Sequence, residues 1–375
     1  MIVSLLRKLF KRKPKKKHIP DDLLVDILCK LPVKSLVRFK AVHSDWSSLI
    51  SAPEFCRRHL QYHVKRTGQK YGTIQAGNKH TLHPSLTLRI MSNCGIVGDH
   101  ELVEIQNIYG KPVFDHYDYP KLFGCCNGLL LISLSSHSES FILWNPTLRQ
   151  HRKIDRKDGY WSPEMYKAGL GYDSLNHNYK IVVAEASKLH KNSIDLQIYD
   201  LKKSSWKTRN YDFPYKFKLH NNTPVITLPN GILHWHVKRM ANGQSVILCF
   251  DSVDEIFKEV PLPKNTYDFC FISSLDGCLC IGITESDFDI NVWKMRKYGI
   301  KKSWIKLKNS FPNIDNCRRY LMPFGVLENN QVVMNLNTTA IAIFDVTSTT
   351  VIIDIDIARL GIGILFGTHI IFMNG

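Results

Sequence analysis

Between residues 18 and 60 the apolar positions recur every three or four residues. Leu24, Ile27, Leu28 and Leu31 form one stripe. The spacing predicts a helix opening at Asp21 or Asp22, either of which can accept the free N–H groups of a first turn. Pro32 ends that helix and suits the start of the next, because proline lacks the N–H that a helix interior requires. Leu36, Phe39, Val42, Trp46, Leu49 and Ile50 form a second stripe and predict one continuous helix from Lys34. Ser51-Ala52-Pro53 closes it, and Glu54–Leu60 predicts a third, short helix.

Residues 61–79 are polar and contain Gly68, Gly72 and Gly77, and they read as a linker grading into a first strand. From residue 80 to 375 no long amphipathic helix is encoded. Short runs such as Leu129–Leu134, Phe141–Trp144, Lys180–Ala184, Ile194–Tyr199, Val246–Phe250 and Val351–Ile355 alternate with turn dipeptides. Turn-then-strand units begin at Asn127-Gly128, Asn230-Gly231, Asp276-Gly277 and Asn329-Asn330. Strands that end in a polar turn close at residues 145, 200, 251, 294 and 345, a period of roughly 43–55 residues. Several short strands per unit at that period predict a β-propeller in preference to an irregular β-sandwich, with about six or seven blades in about 300 residues.

A three-helix unit of about 43 residues cannot bury Phe39, Trp46, Phe55 and its many leucines internally, so part of that surface needs another surface to meet. Residues 19–60 resemble an F-box. The matching string is Ile19-Pro20-Asp21-Asp22-Leu23, Ile27-Leu28, Leu31-Pro32-Val33-Lys34-Ser35-Leu36-Val37-Arg38-Phe39, then Val42, Trp46, Leu49-Ile50 and Pro53-Glu54-Phe55. The chain departs from the family at Ala41 and His43, where Cys is common, and at Ser44-Asp45, where Lys-Ser is common; the apolar positions are kept. The resemblance implies docking on a Skp-type adaptor, which hangs from a cullin scaffold carrying a RING protein. The implied adaptor-binding residues are Pro20, Leu23, Leu24, Ile27, Leu28, Leu31, Pro32, Leu36, Phe39, Val42, Trp46 and Leu49.

The β region resembles the F-box-associated domain of plant F-box proteins. The resemblance rests on Cys126-Asn127-Gly128-Leu129-Leu130, Leu143-Trp144-Asn145-Pro146-Thr147-Leu148-Arg149, Gly169-Leu170-Gly171-Tyr172-Asp173 and Tyr179-Lys180-Ile181-Val182. It continues through Tyr199-Asp200-Leu201, Ser205-Trp206, Asn230-Gly231-Ile232-Leu233-His234-Trp235 and Phe250-Asp251, and closes with Leu275-Asp276-Gly277-Cys278-Leu279-Cys280, Val292-Trp293-Lys294-Met295 and Ser303-Trp304. Together the two resemblances imply an α+β multidomain chain: a basic tail at 1–17, an F-box at 18–60, a linker at 61–79 and an all-β, kelch-like propeller at 80–375. They imply a non-catalytic receptor subunit of an SCF-type ubiquitin ligase, with a target protein of unknown identity on the β domain. The alternative is an adaptor-independent interaction scaffold addressed to nucleus or membrane by its tail.

Composition adjusts this reading little. With 44% apolar and 22% charged residues the chain can bury a core, and its ten cysteines include no C-x-x-C pair. Of the formal +17, eight charges sit in the first 17 residues, leaving +9 for the other 358. The basicity is therefore mostly a property of the tail, and no nucleic-acid partner is expected for the folded body. The tail reads as solvated sequence, with Lys11–Lys17 as a nuclear-import candidate. The expected location is nucleus, cytoplasm or both.

Catalytic and cofactor patterns are weak. Gly124-Cys125-Cys126-Asn127-Gly128 has the G-x-C-x-G shape of a nucleophile elbow, but an apolar strand follows where a helix is needed. His234 and His236 share a strand face without a third metal ligand nearby, and His59 and His63 lack the Glu of a metalloprotease motif. Cys278 and Cys280 read as packing residues. No Walker A loop or G-x-G-x-x-G is present, so no cofactor and no small-molecule substrate is expected. The recurring Trp144, Trp206, Trp235, Trp293 and Trp304 are expected to pack between blades.

Overall fold

The computed structural model describes the helical residues between 20 and 62, strands at 70–76 and 86–91, most of 121–312, and strands between 322 and 368; side chains are described within 20–62 and 121–307. The basic tail and most of the 61–79 segment lie outside the described residues. The chain forms two compact units, Met1–His63 and Val64–Gly375.

The first unit holds α1 (Asp21–Cys29), α2 (Val33–Lys40) and α3 (Ser44–Ser51), followed by helical residues at 54–56 and 58–59. Two expectations need correction. Pro20, in extended conformation, is the N-cap of α1, with Asp21 and Asp22 already inside the first turn. There the Asp22 carboxylate sits at the positive end of the helix dipole, and no side chain caps the helix. The second stripe is also split between two helices. Ala41 caps α2, and His43 leaves the helical region with φ −152° and ψ 141°. The His43 imidazole Nδ1 accepts the Asp45 N–H at 3.2 Å, so a side chain restarts the chain as α3. An i, i+3/i+4 pattern is compatible with either arrangement, and the cap decides.

The second unit is built from antiparallel sheets. One contains β1 (Lys70–Ala76) and β2 (Leu86–Met91). The next is β3 (Lys121–Cys126), β4 (Leu129–Ser133), β5 (Ser140–Asn145) and β6 (Gln150–Asp155). A third is β7 (Tyr166–Asp173), β8 (Asn178–Ala186), β9 (Ser193–Asp200) and β10 (Ser205–Asp212). The fourth has short β11 (Tyr215–Phe217) and β12 (Ile226–Thr227) beside β13 (Leu233–Arg239), then β14 (Ser245–Asp251) and β15 (Ile256–Val260). The fifth is β16 (Phe271–Leu275), β17 (Cys278–Ser286), β18 (Asp289–Met295) and β19 (Trp304–Pro312). The sixth is β20 (Met322–Val326), β21 (Gln331–Leu336), β22 (Ala340–Asp345) and β23 (Val351–Asp356). The last described strand, β24 (Gly363–Thr368), returns to pair with β1 from Lys70↔Thr368 to Gln75↔Gly363.

The innermost strands meet in a circle. β24 touches β3, β3 touches β7, β7 touches β12 and β13, these touch β16, β16 touches β20, and β20 touches β24. Among the described residues, six sheets stand around a common centre, closed by a ladder between β1 and β24, and form the six blades of a β-propeller. The sequence repeat falls where this architecture puts it: residues 145, 200, 251 and 345 end the last-but-one strands of their sheets, and residue 294 stands one residue before the end of β18.

Both faces of the inner strands of a blade are buried, and this is why β4, β5, β8 and β14 are nearly continuous apolar runs while the outermost β6 and β10 are mostly exposed. In β8, Ile181 and Val183 point into the core shared with the second blade, with Phe141, Leu143 and Leu131. Val182 and Ala184 of the same strand point into the core shared with the fourth blade, with Leu233, Trp235 and Phe250. In β14, Val246, Leu248 and Phe250 face the third blade, while Ile247 and Cys249 join Ile272, Leu279 and Trp304 of the fifth.

Tryptophan acts as a staple between blades. Trp206, opening β10, donates its indole N–H to the Asp155 carbonyl of the preceding blade at 2.8 Å. Trp304, opening β19, donates to the Pro261 carbonyl at 2.7 Å, also in the preceding blade. The two Ser-Trp repeats thus perform one task at two equivalent places.

Glycine sets how closely blades approach. Gly169 and Gly171 lie in the inner strand β7, where a Cβ on Gly169 would fall 2.4 Å from Leu233 Cδ2. Gly231 takes φ +81°, accepts the Tyr172 N–H at 3.1 Å, and would set a Cβ 2.3 Å from the Tyr172 carbonyl oxygen. Gly231→Ala is expected to cost about 2–3 kcal/mol, from backbone strain and overpacking together. An unchanged urea midpoint would contradict this close approach.

A buried ionic cluster joins the third and fourth blades. Lys180 Nζ lies 3.1 Å from both Asp173 and Glu255 and donates to the Ser252 carbonyl at 2.6 Å. Glu255 also receives Lys207 at 2.5 Å and Arg209 at 3.4 Å. Burial alone would raise the Glu255 pKa, but the lysine hydrogen bonds outweigh it and hold the carboxyl below its ordinary range; the same balance, with Asn176 and Lys180 as donors, lowers Asp173. Because both folded values are depressed, their contribution is complete above about pH 4.5 and is lost as pH falls through the folded values. Glu255→Gln leaves Lys180 buried with one carboxylate and is expected to cost about 3 kcal/mol at pH 7. It should also flatten the acid limb of the stability curve, measured by urea denaturation across pH. Equal losses at pH 7 and pH 3 would refute the ionic origin.

Candidate docking surface

The helical unit sorts its apolar side chains into three groups. Leu28 and Leu36 are fully buried, with Cys29, Ile50, Phe55 and Cys56 also inside. These two leucines therefore support the surface from beneath. Leu24, Leu31, Phe39, Trp46 and Leu49 are half-buried. Phe39 on α2 and Trp46 on α3 meet edge to face at 5.6 Å, so one aromatic pair bridges the two helices with part of each ring still open. Pro20, Leu23, Ile27, Pro32 and Val42 are exposed, Leu23 at 55%, Ile27 at 50% and Val42 at 64%. Leu23 and Ile27 are i, i+4 neighbours and form one apolar row on α1.

Val37 on α2, 43% exposed, belongs with these open residues and is absent from the set drawn from the sequence. Its signal was an apolar residue lying off the inward stripe of its own helix. Polar contacts fix the arrangement beneath. His59 is buried, its Nε2 lies 2.9 Å from the Leu31 carbonyl, and its ring stacks on Phe55. Arg58 donates to Asp26 on α1 at 2.6 Å. The helical residues after α3 are thereby tied back to α1, and its outer row is held in place.

The chemistry-bearing motifs of the propeller are structural. Asn127 and Gly128, with φ +51° and +79°, form the tight turn between β3 and β4, and a strand follows. Burial pushes the Cys125 thiol up to about 12 and the Cys126 thiol well above its ordinary value, so neither is a thiolate at neutral pH. His234 is buried between the Ile226 carbonyl at 3.2 Å and the Tyr298 hydroxyl at 2.7 Å; burial lowers it to about 4 and keeps it neutral.

His236 stacks on Phe269 at 4.0 Å, and its Nε2 lies 2.9 Å from Ser245 Oγ. The Ser245 hydroxyl donates to Asp268, so serine, histidine and aspartate are present with the carboxylate on the serine. A nucleophilic triad needs the carboxylate on the histidine. Cys280 is buried and Cys278 half-buried on β17. Among the described residues no group of three or more His, Cys, Asp or Glu side chains could hold a metal ion. Trp144, Trp235 and Trp304 are buried, and Trp206 and Trp293 are half-buried against interblade cores.

Comparison with known proteins agrees with this architecture. The F-box associated beta propeller domain matches residues 88–359, and the F-box domain matches residues 17–58. An F-box/kelch-repeat protein of Arabidopsis thaliana is 30% identical over 81% of this chain and 82% of its own length. The F-box protein CPR1 of the same plant is 29% identical over 88% of this chain and 82% of its own. A further Arabidopsis F-box protein is 25% identical over 77% and 71% of the two chains. The chain therefore belongs to the F-box proteins that carry an F-box associated β-propeller domain.

Proposed function

We propose that this protein is the substrate-recognition subunit of an SCF-type ubiquitin ligase. The F-box unit docks on a Skp-type adaptor, through it reaches the cullin and RING subunits, and the propeller holds the target. The observation that carries this reading is the open apolar row of Leu23 and Ile27, together with the exposure of Val37 and Val42 in the same small unit. Covering a half-exposed Leu or Ile is worth about 1 kcal/mol, so a handful of such residues gives a foreign helical surface a real driving force. Phe39 and Trp46 add the aromatic anchor typical of interface hot spots.

The chain itself makes no bond in this scheme. It supplies proximity: a target lysine held beside a ubiquitin-charged enzyme reacts at a high effective concentration. That role needs rigid placement, and the stapled blades provide it. The kelch-like character of the propeller and residence in nucleus, cytoplasm or both belong to the same proposal.

Leu23→Asp with Ile27→Asp places two charges where the adaptor would cover them. It is expected to lower adaptor affinity by at least 2–4 kcal/mol while leaving the thermal midpoint close to that of the parent, because both positions are exposed. The measurement is co-purification with a Skp-type adaptor, quantified by calorimetry. Full retention of the adaptor by this double variant would remove the receptor reading and leave the adaptor-independent scaffold.

A further inference from the structure

The cations of the propeller's third and fourth blades are mostly spoken for. Lys180, Lys207 and Arg209 reach Glu255, Lys238 reaches Asp268, Arg239 reaches Glu259, and Lys258 faces Asp254. The outer hairpin of the fifth blade differs. From Asn291 to Ser310 the sequence holds Lys294, Arg296, Lys297, Lys301, Lys302, Lys306 and Lys308 and no acid. Arg296, Lys297, Lys301 and Lys302 stand exposed in the turn between β18 and β19, and among the described residues none of the four is in an ion pair. Tyr298 and Ile300 are exposed between them, at 39% and 50%.

The turn is preorganised. The Ser303 hydroxyl lies 2.7 Å from both the Lys297 and Ile300 carbonyls and accepts the Lys297 N–H at 3.1 Å. Residues 301–303 form one 3-10 turn, and Gly299 at φ +76° donates its N–H to Met295 Sδ. Tyr298 is pinned to His234 of the neighbouring blade. Asp251 acts electrostatically on Tyr298, and its Oδ1 already accepts the Val253 N–H. Turns after the first and third strands of a blade open on the same propeller face. This basic turn therefore shares its face with exposed Leu175 and Lys203 of the third blade.

We infer that the turn at 296–302 is a docking surface for an acidic, carboxylate-rich segment of a target protein that also carries an apolar side chain for the Tyr298–Ile300 patch. Charge complementarity argues for the acids: unpaired cations on a rigid turn gain from a partner and lose little side-chain order elsewhere. Carboxylates fit better than a single phosphoryl dianion, because three of the four cations are lysines, point charges without the planar fork that phosphate recognition favours. The inference deepens the receptor reading by naming a class of target.

The test uses the purified full chain and fluorescence anisotropy of a fluorescein-labelled Glu/Leu-rich peptide. Lys297→Glu, Lys301→Glu and Lys302→Glu together are expected to weaken binding by about tenfold or more, with an unchanged thermal midpoint and unchanged adaptor capture. The milder pair Lys301→Gln, Lys302→Gln is expected to weaken it about threefold, which keeps the question answerable if the triple variant unfolds. Reversal of Lys15, Lys16 and Lys17 to Glu in the tail should leave most of the affinity. The inference is overturned if the parent does not bind the peptide, or if the tail reversal abolishes binding while the turn reversal does not. It is also overturned if a single-stranded oligonucleotide binds the turn more tightly than the peptide, which would make the partner a nucleic acid. Adaptor capture is read separately, so a failure here is distinct from a failure of the receptor reading.

Discussion

The inner strands of a propeller blade have no face to give to water, and most of this molecule follows from that. The inner part of each sheet is sandwiched between two others, so residues of both parities along an inner strand are apolar: Ile181 and Val183 serve one neighbour, Val182 and Ala184 the next. The sheets must also stay at a fixed spacing, and small residues at the centre allow it. Gly169 lets the Leu233 and Val225 side chains close on its backbone, and Gly231 lets backbone meet backbone at Tyr172, where any Cβ would intrude. The circle is then sealed by the β1–β24 ladder, which joins the two ends of the domain and leaves the innermost strands in unbroken contact.

Polar groups that enter so dry a structure have to be satisfied inside it. The Lys180–Glu255 cluster and the indole staples of Trp206 and Trp304 each cross from one blade to another, and the His236–Ser245–Asp268 chain ties the fourth blade to the segment leading into the fifth. Each trades the cost of burying a polar atom for a directional link that an apolar core lacks. The same groups look catalytic when read as residue types. Their geometry shows otherwise: the carboxylate lies on the serine, His234 is held neutral by burial, and the thiols of Cys125 and Cys126 stay protonated.

The helical unit obeys the opposite rule. It is too small to hide its apolar residues, and it places Leu28 and Leu36 inside while leaving Leu23, Ile27, Val37 and Val42 open. A rigid receptor and an unfinished helical surface on one chain suit a protein whose work is to hold one partner near another. The ionic pattern of the propeller points the same way, since among the described residues four exposed cations outside any ion pair crowd into the turn between β18 and β19, while Lys180, Lys207 and Arg239 of the neighbouring blades are used in internal bridges.

The strand runs, the Asn-Gly turns and the period that ends at residues 145, 200, 251 and 345 were legible in the sequence, because turn chemistry and two-sided burial are local demands that leave local marks. So were the first helix stripe and the Ser-Trp repeat. The break of the second stripe at His43 was not, since i, i+3/i+4 spacing survives a turn of suitable length and only the imidazole cap at Asp45 distinguishes the two arrangements. The division of the F-box leucines into buried and open, the approach of Glu255 to Lys180 across 75 residues, and the pairing of β1 with β24 were decided by tertiary structure alone. Composition says which residues avoid water or seek a charge. Which neighbour meets that need depends on how distant segments are brought together, and that is settled only when the ring closes.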